Sequence, residues 1–251
     1  MATIKYVRNR SLSAACAGLI LLAGCTSADE TTSGTVGSST PGQAGPGTGT
    51  GTALDVSHAV RITVDSFSTE QVLWAYIYRD TLREVGRKAQ VISADGATTA
   101  ERWELLRTGE ADFMITCTGT FVEELHPALA KQLVDDADEE EPNTADIHEQ
   151  LHREVMGLLP PEIVTTAPSS AEGCAHAGDT LPQDFTPLFN SRLFDRDTAS
   201  EIQKVTRLVD DRALEELEEK LADGLSIEDA VGQWTSVNVT GESPDSVSDE
   251  A

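Results

Sequence analysis

The sequence contains few basic residues, few aromatic residues and few long apolar runs. Lysine and arginine number 18 against 43 aspartate and glutamate residues, which gives a formal net charge of −25 at pH 7. Nucleic-acid phosphates repel such a chain, so we expect no nucleic-acid partner. The sequence contains no Gly-x-Ser-x-Gly, P-loop or Cys-x-x-Cys motif. Without these motifs, the sequence indicates no catalytic residue and no cofactor, and we expect that the protein is not an enzyme.

One short apolar run lies near the start of the chain, from Leu12 to Leu22, after three basic residues. A membrane-spanning helix needs about 20 apolar residues, and no run of that length follows later. A basic start with a short apolar core is typical of an export signal. The run ends in Leu22-Ala23-Gly24-Cys25, the pattern of a bacterial lipobox. We expect a lipoprotein signal peptide over 1–24 and a lipid on Cys25 that anchors the chain outside the cytoplasm. An ordinary signal with a chance Cys is the alternative.

Three segments of different composition follow the signal. Residues 25–53 consist mostly of Thr, Ser, Gly, Pro and Ala, which predicts a flexible tether. Residues 239–251 are acidic and Ser-rich, which predicts a disordered tail. The remaining residues, 54–238, are enough for one large domain or two small lobes.

Four cysteines occur, and two of them remain available for a disulfide. Cys16 leaves with the signal, and Cys25 is the expected lipid site. Cys117 and Cys174 are left, and two thiols outside the cytoplasm usually pair. We therefore expect a Cys117–Cys174 disulfide, with two buried free thiols as the alternative.

The first part of the folded region alternates between strand and helix patterns. Strands are predicted at 60–64, 89–93 and 112–116. Capping boxes at Ser68/Gln71 and Thr98/Glu101 begin the two helices between them, and Gly86 and Gly109 end them. The order β-α-β-α-β predicts an α/β fold with a parallel sheet. Further helices are predicted at 120–134, 144–157, 197–208, 210–222 and 226–236, and a strand at 162–166.

The segment from Arg61 to Thr120 resembles the substrate-binding proteins of glycine betaine, choline and related osmoprotectant ABC transporters. Ile62 to Gln71 is similar to the family's first strand and Phe-Thr-Glu-Gln helix start. Leu105 to Asp112 is similar to its helix ending in Gly-Glu-x-Asp. Cys117-Thr118-Gly119-Thr120 stands where the family has Tyr-Thr-Gly-Thr. The closing part, Leu181 to Leu188 and Ser226 to Trp234, also fits.

The resemblance implies a periplasmic-binding-protein-like fold of type II. Its first lobe would be 54–120, its second lobe 121–180, and its closing helices 181–238. The second lobe is reduced, because the interval is shorter than in the family. The implied function is capture of a small zwitterionic or cationic solute for an ABC permease, by closure of two lobes. The only contact with the membrane would be the lipid.

The candidate ligand-binding residues are mostly polar and come from the two helix starts and the family turn. Ligands of such sheets lie at the carboxyl ends of strands, where helix N-termini bind carboxylates. Simple capping of the two helices is the alternative role for the residues of the helix starts. The candidates are Ser68, Thr69, Gln71, Thr98, Thr99, Cys117 and Thr118.

Two other interpretations remain open. Aromatic residues are few, and Cys117 replaces a Tyr. The alternative is therefore a degenerate relative that kept the fold but lost transport and acts as a binding or scaffold lipoprotein. A third interpretation rests on His148-Glu149-Gln150-Leu151-His152, an H-E-x-x-H motif. On a helix, this motif places two histidines on one face for Zn²⁺. Glu172 would then be the third ligand of a zinc hydrolase.

Overall fold

A computed structural model describes residues 57–139, 144–174 and 181–241, except for the side chains of 137–139 and 144–146. The predicted signal peptide and tether, including Cys25, lie outside the described residues, as does the tail beyond 241. None of the described helices combines the length and apolar character needed to span a membrane.

In the part of the chain that the structure describes, five strands form one sheet in the order β2-β1-β3-β5-β4. They are β1 (Val60–Val64), β2 (Ala89–Ser93), β3 (Phe113–Cys117), β4 (Ile163–Thr165) and β5 (Phe185–Asn190). As predicted, β1 pairs in parallel with both β2 and β3. β5 is antiparallel to both of its neighbours, so four of the five strands run in the same direction.

β5 is not among the predicted strands, because Pro187 interrupts its pattern. Proline cannot donate to a ladder and is rare in a central strand. Here Phe185 N donates to Ala171 O, on the side of β5 that faces away from β3. Alternate residues face the same side, so Pro187 also faces away from β3. Since β4 ends at Thr165, opposite Leu188, the missing N–H of Pro187 removes no bond to β3 or β4.

In the described ranges, eight α-helices surround the sheet, and the two predicted capping sites begin the first two. Ser68 Oγ accepts a hydrogen bond from Gln71 N, and Thr98 with Glu101 forms a complete capping box. The helices are α1 (Thr69–Glu84), α2 (Thr99–Thr108), α3 (Thr118–Leu125), α4 (Pro127–Glu139), α5 (Thr144–Leu158), α6 (Arg196–Leu208), α7 (Asp211–Ala222) and α8 (Ile227–Asn238).

The single helix predicted at 120–134 is two helices, α3 and α4. The break lies at His126-Pro127. The residue before a proline is disfavoured in the helical region, and His126 has φ −138° and ψ 58°. Pro127 instead takes the first position of α4, where its missing N–H costs nothing.

Alternation along the strands sends side chains into two apolar clusters on opposite faces of the sheet. Phe113 and Ile115 of β3 join one cluster, whereas Met114 between them joins the other. α1, α6, α7 and α8 contribute to the first cluster, and α2, α3, α4 and α5 to the second. The two clusters therefore cover the two faces of the same sheet.

The segment predicted as the second lobe, 121–180, contributes α4, α5, β4 and most of α3. β4 pairs with β5 in the common sheet, and the helices pack on one face of it. Within the described residues, therefore, this segment has no sheet of its own.

Candidate functional site

A cavity of about 530 Å³ lies where β1 and β2 end and α1 and α2 begin. Parallel strands and the helices that follow them place polar helix starts together at this edge. The polar residues predicted at the two helix starts all line the cavity, and these are Ser68, Thr69, Gln71, Thr98 and Thr99.

The hydroxyl groups at the two helix starts also cap their helices. Ser68 Oγ accepts from Gln71 N at 3.3 Å and donates to Glu70 at 2.9 Å. Thr98 Oγ1 accepts from Glu101 N at 3.1 Å. These hydroxyls hold the cavity wall in shape. They are therefore poor candidates for the main polar contacts of a ligand.

Gln71 is a better candidate for such a contact. Its side chain is buried, and its Nε2 lies 3.6 Å from Cys174 Sγ. Its Oε1 has no hydrogen-bond partner in the part of the chain that the structure describes. A buried acceptor without a partner is costly unless a ligand or water binds it.

Arg102, which the sequence analysis did not select, is a buried cation in the cavity wall. It is 2% exposed, and its guanidinium donates to Ile115 O at 2.7 Å and to Thr99 Oγ1 at 3.4 Å. Burial lowers the pKa of Arg102, and Asp65 and Glu124 oppose this shift. The sequence signal was its spacing, because Arg102 is three residues from Thr99 and shares its helix face.

The remaining polar wall comprises Thr120 and four acidic residues, Asp65, Glu70, Glu124 and Glu218. Burial raises the pKa of the Glu218 carboxyl group, and the nearby Glu70 and Glu215 raise it further. The cavity thus combines one buried cation and two helix N-termini with a ring of carboxylates. Both charges of a small zwitterion would find a partner there.

Comparison with solved structures assigns the fold. No family model matches the sequence, and neither does any curated protein. The structure of apo YehZ from Escherichia coli is similar with a TM-score of 0.51 and 11% identity, over 71% of this chain and 98% of that one. The chain has the fold of a periplasmic binding protein.

Two further solved structures align more loosely. One is a TRAP periplasmic solute binding protein from Pseudomonas putida F1 with bound D-glucuronate, with 10% identity and a TM-score of 0.41 over 77% of this chain and 98% of that one. The other is lactococcal OpuAC in complex with glycine betaine, with 10% identity and a TM-score of 0.38 over 71% of this chain and 95% of that one. At these identities, the likeness concerns the fold alone.

A disulfide lies beside the cavity of this binding-protein fold. Cys117 and Cys174 are bonded, with their Cα atoms 6.2 Å apart. Cys117 and Thr118 were candidate ligand contacts, but both are fully buried and neither lines the cavity. Thr118 Oγ1 instead donates to Pro182 O at 3.0 Å. Of the turn that resembles Tyr-Thr-Gly-Thr, Thr120 lines the cavity and the other three residues lie behind the wall. Cys174 is the member of the disulfide that reaches the cavity.

Aromatic rings contribute little to the cavity. Trp74 and Tyr78 are buried in the core and stack on each other at 5.4 Å. The Tyr76 ring is covered by the Arg79 guanidinium, 4.1 Å from its centroid. Phe67, 78% exposed, is the one aromatic residue among the described lining residues. A cation in the cavity would therefore rely mainly on carboxylates.

The H-E-x-x-H motif lies on α5, but only two of its three predicted zinc ligands, His148 and Glu172, come together. His148 is close to Glu172, with Nε2 and Oε1 3.7 Å apart, but Asp184 completes that group in place of His152. Glu149, the base that a hydrolase would need, lies 3.6 Å from Arg153 with its side chain 70% exposed. This arrangement does not support the zinc-hydrolase hypothesis.

Proposed function

We propose that the protein is a solute-binding lipoprotein and that its solute occupies the cavity between β1, β2, α1 and α2. The proposal rests mainly on two polar groups of the cavity wall: buried Arg102, and Gln71 Oε1, which has no hydrogen-bond partner among the described residues. Acidic side chains line the same cavity. Binding sites are concave and contain a few converging polar groups, which this cavity provides.

The charge distribution favours a zwitterion such as a betaine. The carboxylate of the solute would face the guanidinium of Arg102 and the N-termini of α1 and α2. Its ammonium group would face the carboxylates of Glu70, Glu124 and Glu218, with Phe67 as a single cation–π partner. Choline lacks the carboxylate, so it should bind more weakly than glycine betaine.

Transport is the next step of the proposal. A lipid on Cys25 and the tether 25–53 would hold the binding domain outside the cytoplasm, next to an ABC permease. Bound solute would then pass to that permease. This function requires that the solute be released on docking.

One observation favours a second candidate, a surface lipoprotein that binds solute without delivering it. Type II binding proteins, which the sequence resembles, close two lobes around a ligand. Here all described strands belong to one sheet. Solute binding in the purified protein, without protein-dependent solute uptake by cells, would favour this second candidate.

A thermal-shift screen with glycine betaine, choline, carnitine and proline tests the proposal. A ligand at a hundredfold excess over its Kd stabilises a protein by about 2.7 kcal/mol. For a domain of this size, that corresponds to a rise in Tm of about 5–10 °C. We expect the largest rise with a betaine-like zwitterion. No shift with any of the four solutes would contradict binding of this solute class.

A further inference from the structure

His148, Glu172 and Asp184 converge from three separate parts of the chain, away from the residues that line the cavity. His148 belongs to α5, Glu172 to the segment between β4 and β5, and Asp184 directly precedes β5. His148 Nδ1 lies 2.8 Å from Asp184 Oδ2, and His148 Nε2 lies 3.7 Å from Glu172 Oε1. One nitrogen and two carboxylate oxygens from these residues all lie within 4.8 Å of one another.

The backbone holds this group in place. Glu172 and Asp184 face each other in an isolated antiparallel bridge, and Gly173 N donates to Gln183 O at 2.9 Å. Thr118 N donates to Asp184 O at 3.0 Å, and Cys174 is fixed to β3 by its disulfide. The backbone positions of Glu172 and Asp184 are therefore set by the fold. The Asp184 side chain is buried, whereas the Glu172 side chain is 57% exposed.

The group carries an excess of negative charge. The Asp184 side chain is 5% exposed. The negative charges of Glu172 and Asp211 act on this carboxyl group, and His148 is its hydrogen-bond partner. Asp211 also accepts a hydrogen bond from Glu172 N at 3.0 Å. The imidazole of His148 thus faces two carboxylates, one of which is buried, and Asp211 adds a third negative charge nearby.

We propose that His148, Glu172 and Asp184 bind one divalent transition-metal ion, with zinc as the best match. Zinc accepts His nitrogen and carboxylate oxygen at about 2.0–2.2 Å, which places neighbouring ligand atoms about 3.4 Å apart in a tetrahedron. His148 Nδ1 faces Asp184 and Nε2 faces Glu172, so the imidazole would turn to give the ion one nitrogen. The carboxylates would close on the ion from ligand-atom separations of at most 4.8 Å. Calcium and magnesium prefer all-oxygen sites, so the imidazole selects against them.

The proposed ion has a structural role. It would join α5 to the segment 167–174 and to the start of β5, next to the disulfide. Cys174, two residues from Glu172, lines the solute cavity, so the ion would stabilise one side of that wall. The proposal does not depend on solute binding, and either one can fail without the other.

Calorimetric titration of tag-free, chelator-treated protein with zinc chloride tests the site. We expect one equivalent of zinc to bind. Loss of even a supporting residue at a metal site typically weakens metal affinity by about 10–100-fold. His148→Ala and Glu172→Gln should therefore each weaken zinc binding by at least about tenfold. Glu172 is exposed, so its variant keeps the fold even if the buried Asp184→Asn variant does not.

Two substitutions on α5 serve as matched controls. His152→Gln removes the second histidine of the H-E-x-x-H motif, and Glu149→Gln removes an exposed carboxylate of the same helix. Both variants should bind zinc as the wild type does. The proposal is overturned if no stoichiometric zinc binding occurs. It is also overturned if binding survives His148→Ala and Glu172→Gln, because such binding belongs to other acidic side chains. If His152→Gln weakens zinc binding as much as His148→Ala does, the H-E-x-x-H motif is the metal site.

Discussion

Arg102 changes the chemistry that the two helix starts alone would give to the cavity. The predicted hydroxyl residues line the cavity, yet those of Ser68 and Thr98 are used for capping. Arg102 adds a fixed positive charge below them. Sequence reasoning places an arginine on the surface by default, since charged residues are rarely buried. Its burial depends on the position of Ile115 O at the end of β3, a long-range contact that no local pattern reveals.

Asp112 carries the first prediction at this scale. This buried carboxylate accepts hydrogen bonds from Arg61 N, Nε and Nη2, each at 2.9 Å, and so joins β1 to the start of β3. Hydrogen bonds to charged groups contribute about 1.5–3 kcal/mol each. Asp112→Asn should therefore lower the free energy of unfolding by about 2 kcal/mol in urea denaturation. Glu110→Gln, at an exposed neighbour, should change it by less than about 0.5 kcal/mol.

The stabilisation by Asp112 should depend on pH. Burial raises the pKa of Asp112, but the hydrogen bonds and charge of Arg61 outweigh burial and lower the pKa below the usual aspartate value. The unfolded chain therefore takes up the proton first as the pH falls. The stabilisation is present above about pH 4 and is lost as the pH falls through the folded-state value. Wild type and Asp112→Asn should converge in stability at low pH. A stability difference that persists unchanged to pH 2 would contradict this.

At the scale of helices and strands, local patterns predicted what local chemistry controls. Side-chain caps at Ser68 and Thr98 begin α1 and α2 as expected, and Gly109 ends α2 with φ 78°. Two features were wrong in the prediction. The break at Pro127 was readable from the proline rules but was overlooked. β5 was not readable, because the tolerance for Pro187 depends on where β4 ends.

The disulfide connects two of these elements, the end of β3 and the segment before β5. It closes a loop of 57 residues. The loop-entropy relation gives about 4 kcal/mol for a loop of this length. Replacing both cysteines, Cys117→Ala with Cys174→Ala, should lower the free energy of unfolding by up to that amount. Chemical denaturation of the two proteins measures the difference.

Reduction of the wild type provides the matched control. Reducing agent should destabilise the wild type to a similar extent and should leave the double variant unchanged. If the two oxidised proteins unfold at the same denaturant concentration, the disulfide does not constrain the chain as described.

For the whole molecule, the order of motifs predicted the fold class better than any single motif did. The strand, the capped helix and the Gly-Glu-x-Asp turn follow one another in the order and at the spacings of a binding-protein family. The solved structures confirm the fold. The number of sheets was harder to predict. β4 is three residues long, and only its pairing with β5 shows that it belongs to the same sheet as β1, β2 and β3.

The lipid on Cys25 remains a prediction for the whole molecule. Two acyl chains hold a protein firmly on a membrane. Cys25→Ser should therefore abolish incorporation of radiolabelled palmitate in a bacterial host and should release the protein from the membrane fraction. Cys16→Ser, inside the predicted signal, should leave both unchanged. Labelled palmitate in the Cys25→Ser protein would contradict the assignment of the lipid site.

Calorimetric titration with glycine betaine tests the solute cavity most directly when wild type is compared with two variants of α7. Glu218 lines the cavity, whereas its neighbour Glu219 does not. We predict one bound solute per chain. The Kd should be about two- to fivefold higher in Glu218→Gln, because a partly exposed charge pair contributes little. The Kd of Glu219→Gln should equal that of the wild type. Absence of binding, or binding that both substitutions affect equally, would contradict a solute site in this cavity.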